Sequence, residues 1–220
     1  MSEPGRSGEA LARLDEITRR LRVECPWDRE QDERTIVPHT VEEAYELADA
    51  ANRGDDRKML DELGDVLFQV VFLSLLLEER REGDFAAVAE HCRQKLIRRH
   101  PHVFGDVDAS TAAEVLRNWD EIKRGEEGRE PGIFGDVPEN LPAPLYARKL
   151  LRRASSAGQP LPPMPLADHV GADDFESLGD LMLAVVARAR ELKVDPELAL
   201  RSAADRLREQ IEQEAGRASE

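Results

Sequence analysis

VEEAYELADAANRGDDRKMLDELGDVLFQVVFLSLLLEE, from Val41 to Glu79, decides the fold. Its second half is apolar from Val66 to Leu77, broken only by Gln69 and Ser74. That run is too short to span a bilayer and reads as a buried helix. Gly54 and Asp55 divide the stretch. The division predicts one helix ending at Asn52 and another from Asp56 to Arg81. A connection this short lets the two helices pack antiparallel. No segment of the chain alternates with period two, so the fold class expected is all-α.

The same spacing extends outward. Leu11, Leu14, Ile17 and Leu21 predict a first helix from Glu9 to Glu24, after a polar tail over residues 1–8 expected to be disordered. Pro26 is expected to stop it, leaving Cys25 to Pro38 as a loop with Trp27 in its middle. The second helix is expected to start at His39 or Thr40, with Thr40 and Glu43 as a capping box. Gly83 should end the third helix, and Asp84 should cap a fourth that reaches Arg99. Ser110 or Thr111 should cap a fifth, ending near Gly125. GEEGREPGIFGDVPENLPAP and SSAGQPLPPMP read as linkers. Helices resume over 145–154, 173–192 and 195–215.

The chain has 220 residues, 46 acidic and 31 basic, for a net charge of −15. Aromatics are 5% and charged residues 35%, which suits helices better than strands. The acidity argues against a nucleic-acid partner and against an anionic membrane surface. Two cysteines, Cys25 and Cys92, make no disulfide framework, and MSEPGRSGEA has no apolar export signal. The expected location is cytoplasmic, with reduced thiols.

The chemistry is expected on the second and third helices. Glu42, Glu43 and Glu46 lie in VEEAYELAD, and Asp61, Glu62 and Asp65 in LDELGD. Residues three apart share a helix face, so Glu43 pairs with Glu46 and Glu62 with Asp65. Packed antiparallel, the pairs face each other. Two charges about 4 Å apart repel by roughly 4 kcal/mol at an effective dielectric of 20. Four carboxylates therefore need a cation, and all-oxygen donors suit Mg²⁺ or Mn²⁺. The bland alternative is a solvated acidic face. Against it, Glu62 and Asp65 lead straight into the buried run. No Glu-x-x-His, His-Asp pair, P-loop, CxxC or GxSxG occurs.

Two further clusters suit phosphate and base. Lys95, Arg98 and Arg99 lie in KLIRRHPHVFGD, with Lys95 and Arg99 on one face. Trp119 and Lys123 are four apart in NWDEIKRGEE. Trp27 is a core plug or a base platform. Taken singly, each has an ordinary explanation, such as cations at a helix C-terminus. Taken together with the carboxylates, they suggest metal-dependent work on a nucleotide polyphosphate.

At these residues the sequence resembles the MazG family of nucleoside triphosphate pyrophosphohydrolases. The hallmark EExxE is Glu42-Glu43-x-x-Glu46, and ExxD is Glu62-x-x-Asp65. CPWD at Cys25–Asp28, RRHPHVFGD at Arg98–Asp106 and Trp119-x-x-Ile122-Lys123 follow the family's other motifs in order. The resemblance implies an all-α helical bundle, a homodimer, and Mg²⁺-dependent cleavage of NTP or dNTP to the monophosphate and pyrophosphate. It implies Glu43, Glu46, Glu62 and Asp65 as metal ligands. Lys95, Arg99 and Lys123 would hold phosphates and Trp119 would lie near the base, with Arg98 and Trp27 as further candidate substrate-binding residues. Glu42 or one of the ligands would position or deprotonate the attacking water. Removal of non-standard or excess triphosphates is the role implied. The alternative kept beside it is a non-catalytic Mg–nucleotide-sensing or interaction module.

The sequence departs from the family where Gln31 is followed by Asp32 and Glu33 rather than Thr-His, and where His39 replaces the more usual Tyr. The second half is expected to be a degenerate repeat. LGDLMLAVV from Leu178 resembles LGDVLFQVV from Leu63, but Ser177 stands where Glu62 does and no EExxE precedes it. The expected organisation is a catalytic domain over 9–127, a linker over 128–144 and the repeat over 145–215.

Overall fold

The computed structural model describes residues 4–126, 132–135, 137–138, 140–169 and 171–218. Among these the chain forms ten α-helices, one 3₁₀ turn and no strand, so the fold is all-α as the sequence predicts, with two short helices, Pro26–Glu30 and Pro101–Phe104, beyond the eight expected. They are α1 (Pro4–Glu24), α2 (Pro26–Glu30), α3 (Glu33–Arg53), α4 (Asp56–Glu79) and α5 (Phe85–Arg99). Then follow α6 (Pro101–Phe104), α7 (Ala112–Arg124), α8 (Ala143–Ser156), the turn Leu166–His169, α9 (Phe175–Glu191) and α10 (Pro196–Ala218). The chain divides into unit 1, residues 1–96, and unit 2, residues 97–220. Of the expected linker, residues 128–131, 136 and 139 lie outside the described residues.

Unit 1 is organised by the α3–α4 hairpin. Gly54, at φ 68, closes α3 in the left-handed conformation, and its N–H bonds the Ala50 and Ala51 carbonyls. Asp55 then caps α4 by accepting from the Arg57 and Lys58 amides. Ile36, Phe72 and Leu76 form the buried core, with Phe68 and Leu73 packed against it. α1 lies along α4. Arg19 meets Glu78 at 2.6 and 3.0 Å, and Arg22 meets Glu79 at 2.8 and 2.9 Å.

Three sequence expectations are corrected here. The segment Cys25–Pro38 is not a loop. Pro26 opens α2, where a proline costs nothing, and α3 begins at Glu33. Asp32 and Thr35 form the capping box there, so Thr40 is interior and Pro38 lies inside the helix. Burial of Ile36 against Phe72 holds this extra turn despite the hydrogen bond that Pro38 cannot donate. Pro38 is exposed, and Pro38→Ala is expected to stabilise unit 1 by about 1–3 kcal/mol. A denaturation midpoint that fails to rise would mean the helix does not bear this penalty.

The tail is the second correction. Residues 1–3 lie outside the described residues, but α1 already runs from Pro4, because adding residues to a formed helix is far easier than nucleating one. Third, α4 is closed by Arg81 at φ 64 rather than by Gly83. The Glu82 amide bonds Leu77 and the Arg81 amide bonds Glu78, a Schellman closure that needs no glycine when its hydrogen bonds are made.

In unit 2, α8 packs against α7, α9 and α10. Leu151, Ala154, Ala184 and Val186 are its buried apolar residues. Ser177, which stands before LGD as Glu62 does, is taken up by the α9 capping box: its amide bonds Asp174 Oδ1 at 2.7 Å. α9 therefore starts about one turn later than α4 relative to the shared LGD. Before LGD, α4 carries a buried carboxylate and α9 carries the third residue of its capping box.

Candidate active site

The hairpin puts one carboxylate pair on each helix, as the i, i+3 spacing requires. Carboxylate oxygens of Glu43, Glu62 and Asp65 lie within 4.8 Å of one another. Glu43 is half-buried, Asp65 is exposed, and Glu62 is only 5% exposed. Glu46 is beside them but turned towards a cation. Lys58 Nζ sits 3.7 Å from Glu46 Oε2 and 3.7 Å from Glu62 Oε1. Sequence reasoning missed Lys58. Its signal was the i, i+4 spacing to Glu62.

The electrostatics follow from this crowding. Burial pushes the Glu43 carboxyl above its ordinary range, and the charges of Asp65, Glu46, Glu62 and Glu42 add to the push. Glu62 is raised by burial and then by Glu46, against the opposing pull of Lys58. One ammonium does not neutralise the cluster. Its all-oxygen donor set, with one buried member and exposed access past Asp65, is the kind a hard divalent cation takes.

Glu42 stands outside this group. It is exposed, and its Oε2 lies 3.7 Å from His39 Nδ1. Trp27 meets the His39 ring edge-on at 6.1 Å. At 51% exposed, Trp27 is no core plug. Lys95 is half-buried on α5.

The remaining expected residues belong to unit 2. Arg98 and Arg99 both bond Glu126, at 3.0 and 2.5 Å for their Nη2 atoms, and hold its carboxyl down at about 2. Arg99 is buried, with its guanidinium 5.2 Å from the centre of the Trp119 ring. His100 packs edge-on against the same ring at 4.8 Å. Lys123 is half-buried one turn further along α7. The structure thus joins Arg98, Arg99 and Trp119 into one cluster, pinned by Glu126. Glu126 was not singled out from the sequence, since it lies in an acidic, Gly-rich stretch that reads as linker.

A family model of the MazG nucleotide pyrophosphohydrolase domain matches residues 31–104, which takes in α3, α4 and the carboxylates Glu42, Glu43, Glu46, Glu62 and Asp65. A nucleoside triphosphate pyrophosphohydrolase of Escherichia coli K12 is 38% identical over 216 residues, covering 88% of this chain and 82% of its own. The chain belongs to the MazG family. Thermotoga maritima has a MazG nucleoside triphosphate pyrophosphohydrolase/pyrophosphatase 36% identical over 194 residues, or 81% of this chain and 74% of that one. A nucleoside triphosphate pyrophosphohydrolase of Mycolicibacterium smegmatis is 34% identical over 185 residues, or 81% and 57%. Similarity to these MazG proteins extends well past the matched domain into unit 2. Among the described residues no helix is long and apolar enough to cross a membrane. Cys25 and Cys92 are both free.

Proposed function

We propose that the chain hydrolyses nucleoside and deoxynucleoside triphosphates to the monophosphate and pyrophosphate, one water being consumed at the α-phosphorus. The reading rests on one observation above all: Glu43, Glu62 and Asp65 converge within 4.8 Å on the α3–α4 hairpin, Glu62 buried among them, without enough positive charge to balance them. Glu43, Glu46, Glu62 and Asp65 would hold Mg²⁺, with Mn²⁺ as a substitute. When bound, the ion supplies charge neutralisation on the phosphoryl oxygens and a more acidic water. Glu46 would leave Lys58 to complete the ligand set, which frees Lys58 to face the phosphate chain. Glu42 or one of the ligands themselves would orient or deprotonate the attacking water. Lys95, Arg98, Arg99 and Lys123 would bind phosphate oxygens, and Trp119 and Trp27 the base. In this reading the enzyme is cytoplasmic and clears non-standard or excess triphosphates.

A homodimer accompanies the proposal. α4 leaves Leu60 at 73% exposure, and Leu63 and Val70 exposed beside it. The equivalent stripe on α9 is Phe175, Leu178 and Val185, with Phe175 96% exposed. Helix-spaced apolar stripes of this kind call for a partner.

The test is product analysis by anion exchange. A panel of NTPs and dNTPs is incubated with Mg²⁺, with EDTA, and with Glu62→Ala. Monophosphate plus pyrophosphate, lost in both controls, is expected. Diphosphate plus orthophosphate would overturn the cleavage point. Metal-dependent binding without turnover would favour the sensing module.

A further inference from the structure

Unit 2 contains a cavity of about 750 Å³ walled by α7, α8 and the end of α9. Six cationic side chains line it: Arg117, Arg148, Lys149, Arg152, Arg190 and Lys193. This runs against the balance of a chain with 46 acidic and 31 basic residues. Two of the six are held by acids. Asp195 meets Arg148 at 2.5 Å. Asp120, only 1% exposed, accepts from Arg152 at 2.6 and 2.7 Å and from the Ser156 hydroxyl at 2.7 Å. Among the described residues, Arg117, Lys149, Arg190 and Lys193 make no ion pair. Burial, then the charges of Arg152, Arg153 and Arg148, push the Lys149 ammonium below the ordinary lysine range. The rest of the wall is apolar, from Leu116, Leu145 and Val194.

Cations gathered without counter-charge repel one another unless an anion joins them. Planar guanidinium forks and ammonium points together suit the many oxygens of a phosphate chain better than a single carboxylate. We propose that this cavity is a second anion site, binding the phosphate chain of a di- or polyphosphate. The chain is that of free pyrophosphate or of a nucleoside triphosphate whose base lies on the apolar wall. Asp120 positions Arg152 and Ser156 for it. The site is made by unit 2 alone and uses none of the carboxylates of α3 and α4, nor Arg98, Arg99, Trp119 or Lys123. It does not rest on the hydrolysis proposed above.

Calorimetry on the full chain in EDTA tests this without turnover. The probes are inorganic pyrophosphate, α,β-methylene-ATP and orthophosphate. Saturable binding of pyrophosphate or the analogue is expected, with orthophosphate at least about tenfold weaker because it reaches fewer of the cations. Arg117→Gln and Arg190→Gln should each weaken binding by about tenfold, the scale of one charge-assisted hydrogen bond. Arg117→Lys should retain most of it, and Glu62→Gln should leave it unchanged. Tighter pyrophosphate assigns the free diphosphate as ligand, and a tighter analogue assigns the nucleotide. No saturable binding by the wild-type chain, equal affinity for orthophosphate, or full affinity in the folded Arg117→Gln and Arg190→Gln variants would each overturn the proposal.

Discussion

Glu62→Gln is expected to abolish turnover and, in the same protein, to raise the thermal midpoint of the metal-free chain. Both effects come from one geometry. Glu62 is buried beside Glu46 and within 4.8 Å of Glu43 and Asp65. Its carboxyl pKa is raised in the folded state, chiefly by burial. A carboxyl whose folded pKa lies above its unfolded value costs stability at neutral pH, and the cost disappears as pH falls through that folded value. Removing the charge therefore relieves the folded chain by a few degrees. Activity should fall by about a thousandfold or more, the scale of losing a metal's charge stabilisation. Mg²⁺ should raise the midpoint of the wild-type chain, less so as pH falls and the carboxyls take up protons, and should not raise that of the variant. Scanning calorimetry with and without EDTA reads all of this. A variant that is less stable without metal, yet still gains from Mg²⁺, would sink the assignment of Glu62 as a ligand.

The carboxylates were legible because helical spacing is a rigid rule. Glu43/Glu46 and Glu62/Asp65 had to share faces once Gly54 was read as the hairpin turn. The start of α3 was not legible. Pro38 signals a boundary, and what overrides it is a tertiary contact of Ile36 with Phe72 and Leu76, 36 or more residues away in sequence. Local propensity carries no trace of such a contact. The pairing of Arg98 and Arg99 with Glu126 was hidden for the same reason: 27 or 28 residues separate the partners. The cationic cavity was not read from the sequence. YARKLLRRASS, from Tyr146, carries the cations of its α8 wall and was read only as a helix, while Arg117, Arg190 and Lys193 come from other segments, and only packing collects them. Ser177 aligns with Glu62 only if the second half is a repeat, and the structure shows what Ser177 does: it is the third residue of the capping box led by Asp174.

Phe72→Ala carries the largest expected cost in stability. Its ring is fully buried against Ile36 and Leu76, lies 5.9 Å from Phe68, and has the Arg22 guanidinium 5.7 Å from its centre. One side chain thus ties α4 to the start of α3 and to α1. Truncating a buried Phe typically costs about 3–5 kcal/mol, the cavity included. For a chain of this size that corresponds to a fall of roughly 10 °C in the midpoint of unit 1. The effect should also reach the carboxylates, which Phe72 does not line. They converge only because α3 and α4 are held in register, and a loosened hairpin lets their charges spread apart. Mg²⁺ should therefore protect Phe72→Ala less than it protects the wild-type chain, and Phe72→Leu, which refills most of the volume, should recover both stability and protection. Full metal protection in a destabilised Phe72→Ala chain would mean that the carboxylates keep their geometry without this core.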